Sequence, residues 1–135
     1  KDAQQVQVLK RMVKDLFFNL QLRIMPIVRE ADGLAKSSRN TYLSAEERQA
    51  GLILSNSLKH AKELFAAGER DPQKLVAATT AMIKTEPMAD IDYVEIYQMP
   101  DLNACQTPMQ GENLLALAVR FGTTRLIDNT ILEVK

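Results

Sequence analysis

The sequence predicts an α+β fold: a small C-terminal domain of two helices and a three-stranded antiparallel sheet, entered through the last helix–strand unit of an α/β domain. Three observations predict it. Two amphipathic stretches follow one another between Ser44 and about Thr85. Three β-rich stretches then run from Ile91 to Val134 with no helix between them. A helical pattern followed by a short apolar run opens the chain.

The first pattern spans Gln4 to about Phe18. Val6, Leu9, Val13, Leu16 and Phe17 recur at three- and four-residue spacing, with Lys10, Arg11 and Lys14 on the other side. Leu22 to Val28 is almost continuously apolar, as in a strand covered on both faces, and so reads as the last strand of a parallel sheet begun upstream, without which it would lack a neighbour. Ser44-Ala45-Glu46-Glu47 is a capping box that opens one long helix to about Ala67, where Gly68 supplies a left-handed stop. Asp71-Pro72 caps the next helix, which runs to about Thr85, and Pro87 closes it. Strands are expected over Ile91–Tyr97, Leu114–Phe121 and within Leu126–Val134, with turn residues Pro100, Asn103, Pro108 and Gly111 between them. The domain boundaries follow: 1–28 the tail of the α/β domain, 29–43 a linking loop, 44–135 the α+β domain.

Seventeen basic residues balance seventeen acidic ones, so no net field argues for nucleic acid or an anionic membrane as a partner. At 46% apolar the chain can build a core, and no apolar run reaches the roughly 20 residues of a spanning helix. The lone Cys105 excludes an internal disulfide and fits a reducing cytoplasm. It reads as a bystander rather than a nucleophile. His60, the single histidine, reads as a surface residue, and no His, Cys, Asp and Glu cluster has metal-ligand spacing, so no protein-held metal is expected. Arg125 and Asp128 are expected to pair with each other and fix the sheet. Glu30 and Asp32 flank the loop; they could bind magnesium, but stabilising loop geometry is the preferred reading.

That loop carries the chemistry. Between Val28 and Asn40 lie a glycine, the hydroxyls of Ser37 and Ser38, Lys36 and Arg39. Hydroxyls and backbone N–H groups donate to phosphate oxygens, and a guanidinium grips two at once. On the residues alone an ordinary solvated loop is the stronger reading, because short phosphate motifs recur by chance. The loop has few apolar side chains to bury and is expected to be mobile.

Wider context reverses that balance. PIVREADGLAKSSRNTYL (Pro26–Leu43), the opening Lys1-Asp2-Ala3-Gln4-Gln5 and Arg120–Asn129 stand in order along the chain. Together they resemble the signatures of the pantothenate synthetase (pantoate–β-alanine ligase) family. The resemblance implies that ATP and pantoate combine to pantoyl adenylate and pyrophosphate, after which β-alanine displaces AMP to give pantothenate. It implies a catalytic role for Lys1, Ser37, Ser38 and Arg39 at the ATP phosphates, the last three in a loop comparable to the KMSKS loop of class I aminoacyl-tRNA synthetases. Asp2 would contact the ribose, Val28 would offer backbone groups to adenine, and Gln5 would bind pantoate. Lys36 stands where the family usually has Met or Leu. Either its cation joins the phosphate site, or its stem replaces an apolar contact while the head reaches water. The second is preferred. ATP is a substrate that brings Mg2+ with it, and the intact enzyme would be a homodimer.

Lys1 is no natural initiator and no cap segment precedes the first helix, so a fragment is expected. By the resemblance, the missing part holds a HIGH-type motif and most of a Rossmann-like nucleotide-binding domain, leaving the piece inactive alone. The rival from another class is a noncatalytic binding or interaction module that keeps the small-domain fold.

Overall fold

The computed structural model describes residues 1–135. Its helices are α1 (Ala3–Asp15), α2 (Ala45–Ala50), α3 (Leu52–Ala66) and α4 (Pro72–Ile83), with a short 3-10 helix over Ser38–Tyr42. Its strands are β1 (Ala89–Gln98), β2 (Asn103–Ala104), β3 (Glu112–Phe121) and β4 (Thr124–Glu133). They form one antiparallel sheet in the order β2-β1-β3-β4. The α+β class stands.

Alternation along β3 divides the sheet into two covered faces. Leu115, Leu117, Val119 and Phe121 join the main core with Leu54, Leu58 and Ala61 of α3 and Leu75 and Ile83 of α4. Leu114, Ala116 and Ala118 are buried on the opposite face. There the register flanks Leu114 with Tyr97 and Ile131, and Ala116 with Glu95 and Asn129. The caps form as the sequence demands. Ser44 Oγ accepts from the Glu47 amide at 3.1 Å while Glu47 Oε2 accepts from the Ser44 amide at 2.9 Å. Asp71 accepts from Gln73 N–H. Gly68, at φ +111°, ends α3 with paired bonds from Gly68 to Phe65 and from Glu69 to Leu64.

Four elements differ from expectation. Residues 22–28 form no strand, because a strand needs a ladder partner and none of the four strands pairs with them. Ile24, Met25 and Val28 are accordingly exposed, as are Leu16 and Phe17 at the end of α1. The expected helix from Ser44 to Ala67 is two, divided at Gly51, whose own bond is to Glu47 O at 2.8 Å. A fourth strand, β2, adds a two-residue edge. α1 does have a cap: Asp2 Oδ1 accepts from the Gln5 amide at 3.0 Å.

The loop is also better anchored than its polarity suggested. An isolated bridge pairs Arg29 with Ala35, closed by Glu30 N–H to Leu34 O and Lys36 N–H to Val28 O at 2.8 and 2.9 Å. Leu34 and Ala35 are buried, Leu34 within the main core. Gly33 makes the turn at φ +100°, a region open to glycine at little cost.

Candidate functional site

Two hollows meet beside the start of α1. One, about 590 Å³, lies between α1 and the sheet and is lined by Lys1, Asp2, Gln7, Arg29, Met99 and Asn129 among others. The other, about 460 Å³, brings Lys1 together with Val28 and Lys36. Burial pushes the Lys1 ammonium below the usual lysine range, and the Arg39 guanidinium pushes it further the same way, against the pull of Asp128 and Asp2. Arg39 reaches Lys1 through its charge alone, since it lines neither hollow.

The loop itself is built locally. Ser37 caps the 3-10 helix, its Oγ accepting from Arg39 N–H at 3.2 Å, so its hydroxyl proton stays free to donate. Ser38 and Arg39 occupy the exposed first turn, and Thr41 Oγ1 donates to Ser38 O at 2.8 Å. Asn40 Nδ2 donates to Ala35 O at 3.1 Å, fastening the 3-10 helix to the bridged turn before it. Val28 gives its carbonyl to Lys36 while its own N–H makes no backbone bond. The Lys36 head is half exposed, 3.9 Å from Glu30.

Lys1, Asp2, Val28 and Lys36 therefore share adjoining hollows, and Arg39 acts on Lys1. Gln5 is exposed and lines neither hollow; the buried Gln7, not singled out from the sequence, lines the larger one. Arg125 and Asp128 do not pair with each other. Neighbours four apart in sequence would meet on a helix, but three apart on a strand they face opposite sides. Arg125 bonds Asp92 at 2.7 Å, and Asp128 takes Arg29 in two bonds of 2.7 and 2.9 Å. Asp32 does shape the loop, holding Arg48 at 2.9 Å, and that hydrogen bond lowers the Asp32 carboxyl from its usual range.

The Arg29–Asp128 pair was missed, though β4 carries a signal for it. Leu126, Asp128 and Leu132 share the core face, and a carboxylate on such a face implies a buried cation. His60 is half-buried on α3, partly open to solvent. The Cys105 thiol donates to Asn113 Oδ1 at 3.2 Å, and burial pushes its pKa up, away from nucleophilic use. No group of three or more His, Cys, Asp and Glu side chains stands together to hold a metal ion, and no helix is long and apolar enough to cross a membrane.

Comparison with known proteins gives a consistent result. The family profile described as pantoate-beta-alanine ligase matches residues 1–131. The pantothenate synthetase of Pelotomaculum thermopropionicum is 58% identical over 132 residues, which is 98% of this chain and 46% of that protein. That of Carboxydothermus hydrogenoformans is 52% identical over 134 residues, 99% of this chain and 47% of the relative. The crystal structure of pantothenate synthetase from Thermus thermophilus superposes with a TM-score of 0.92 at 34% identity, covering 99% of this chain and 48% of the other. A Francisella tularensis ligase, crystallised with β-γ ATP and β-alanine, shares the fold at a TM-score of 0.63 and 24% identity, over 42% of its length. The chain spans about half the length of the curated relatives it matches.

Proposed function

The chain belongs to the pantoate–β-alanine ligase family, and from that membership we propose that it supplies one half of an enzyme condensing pantoate with β-alanine at the cost of ATP. The observation that supports this reading is that Lys1, Asp2, Val28 and Lys36 line adjoining hollows while the Arg39 charge reaches Lys1, a seat for an anion.

In the proposed reaction the pantoate carboxylate attacks the α-phosphorus of ATP, and the bond to pyrophosphate breaks. Negative charge gathers on the departing oxygens. In this reading Lys1, Arg39 and the two hydroxyls donate to it, and stabilise the transition state more than the bound nucleotide. The β-alanine amine then attacks the acyl carbon of pantoyl adenylate, AMP leaves with the bonding pair, and the amine loses its proton. Asp2, already holding the first turn of α1, offers its remaining oxygen to the ribose. Val28 N–H faces adenine, and Gln5 takes pantoate. Magnesium travels on the nucleotide phosphates, since the chain offers no cluster of its own to hold it. Residues 1–28 belong to the nucleotide-binding domain in this reading, 29–43 to the phosphate loop and 44–135 to the second domain. A homodimeric whole enzyme in the cytoplasm belongs to the same proposal.

The test is a graft in which this chain replaces the matched half of the Pelotomaculum enzyme. The graft should form pantothenate from pantoate, β-alanine and ATP, and the chain alone should form none. A folded graft that binds ATP yet makes no pantothenate would favour a noncatalytic module.

A further inference from the structure

We propose that Asp128 and Asn129 are positioning residues, which set Lys1 against the Ser37–Arg39 loop by gripping the two parts from opposite faces of one strand. The inference rests on the ligase reading for its catalytic consequence, though not for its geometry.

Successive residues of a strand project to opposite sides. Asp128, 3% exposed, points into the core face of β4, where its two oxygens accept from Arg29 Nη1 and Nη2 at 2.7 and 2.9 Å. Arg29 Nη1 also donates to Gly33 O at 3.0 Å, so this guanidinium holds both ends of the turn that leads into the loop. Asn129 points the other way, and its Nδ2 donates to the Lys1 carbonyl at 2.6 Å. The Asn129 amide donates in turn to Asp128 Oδ1 at 2.8 Å, tying the two grips together. Both residues lie mid-strand, opposite Leu117 and Ala116 of β3, where the ladder leaves least freedom.

Stability alone does not account for the pair. A buried ion pair roughly breaks even with apolar side chains of similar size, and the neighbours Leu126 and Leu132 show that this face accepts leucine. What leucine cannot do is fix the direction of Arg29. A fork with two bonds to a carboxylate and a third to a carbonyl sets orientation as well as distance.

The test has two readouts. In this chain with Cys105→Ser, spin labels at Gln4→Cys on α1 and Tyr42→Cys at the end of the 3-10 helix report the separation of the two parts. The wild-type pair should give one narrow distance. Asp128→Asn, which keeps shape but loses charge, and Asn129→Leu should each widen it at least about twofold at temperatures well below melting, where a merely stabilising residue would leave it unchanged. Arg29→Lys, which keeps charge but loses the fork, should lie between. In the graft the same substitutions should slow pantoate-dependent exchange of pyrophosphate into ATP by about 10- to 100-fold per folded enzyme, with less than about threefold change in KM for ATP. Unchanged distances in both variants would overturn the inference, as would unchanged exchange rates in an active graft. An inactive wild-type graft with responsive distances would sink the ligase reading instead, and leave the pinning intact.

Discussion

Replacing Gly33 with alanine should destabilise the chain by about 2 kcal/mol, from three separable contributions. At φ +100° an L-residue lies outside even the small left-handed well, at a cost of roughly 1–2 kcal/mol. A Cβ would stand 3.1 Å from Ser55 Oγ, a hydroxyl that donates to Leu52 O at 3.2 Å. Turning that hydroxyl away forfeits about 0.5–1.5 kcal/mol. Against these, alanine restricts the unfolded chain and returns about 0.4–1 kcal/mol. For 135 residues, with an unfolding entropy of roughly 2 cal/mol/K each, 2 kcal/mol lowers Tm by about 7 °C. Gly68 is the internal control, since its φ of +111° is similar but nothing stands within 4 Å of a Cβ there. Gly68→Ala should lose only the backbone part, about 1 kcal/mol. In a Ser55→Ala background, where that hydroxyl is already gone, Gly33→Ala should cost no more than Gly68→Ala does. Urea denaturation of Gly33→Ala, Gly68→Ala, Ser55→Ala and the double variant measures all of it. A Gly33→Ala change below about 0.5 kcal/mol, or an equal Gly33→Ala cost with and without Ser55→Ala, would refute the anchored turn.

Other expectations concern charge. In the graft, Ser38→Ala or Arg39→Ala should slow adenylate formation roughly 100- to 1000-fold while weakening pantoate binding little; unchanged pre-steady-state formation would remove that residue from the mechanism. The Lys1 side chain, followed by NMR of its nitrogen, should titrate below the usual lysine range, and Arg39→Ala should raise it by removing a like charge. Burial disfavours the charged form, so the folded state binds this proton less tightly than the unfolded one. Stability should therefore rise with pH between the folded Lys1 value and the ordinary one. Bound ATP should raise the Lys1 value, and a value indifferent to ATP would deny the anion seat. Asp32 gives a slope of the same sign at acid pH: its hydrogen bond to Arg48 lowers it, so its contribution is present above the ordinary aspartate range and fades as pH falls through its folded value. Arg48→Ala should flatten that acid-side slope in a stability profile.

Local rules made much of this fold legible. The Ser44 box, the Gly68 stop and the Asp71-Pro72 start each depend on a few neighbouring residues, and each formed. The three main strands could be placed because alternation and turn residues are also local. Residues 22–28 form no strand because a strand exists only with a partner, and the sheet expected to supply one was placed upstream of them. The single long helix failed at Gly51, where a glycine tolerated by the pattern became the boundary. Within the site, the loop motif exposed Ser37, Ser38 and Arg39, whereas the links holding it join residues 99 and 128 positions apart. No local window spans such a distance. Only Asp128 on an apolar strand face left a mark in the sequence, and pairing it with Arg125 mistook nearness along the chain for nearness in space.

The central claim is that this chain brings the phosphate-handling half of an adenylate-forming site. The most direct measurement is exchange of labelled pyrophosphate into ATP by the graft, with pantoate present and β-alanine absent. Formation and reversal of pantoyl adenylate should give exchange that requires pantoate and falls roughly 100-fold or more with Arg39→Ala. Pantothenate formation without any such exchange would contradict a reversible adenylate step. Exchange indifferent to Arg39 would contradict the place given to this loop.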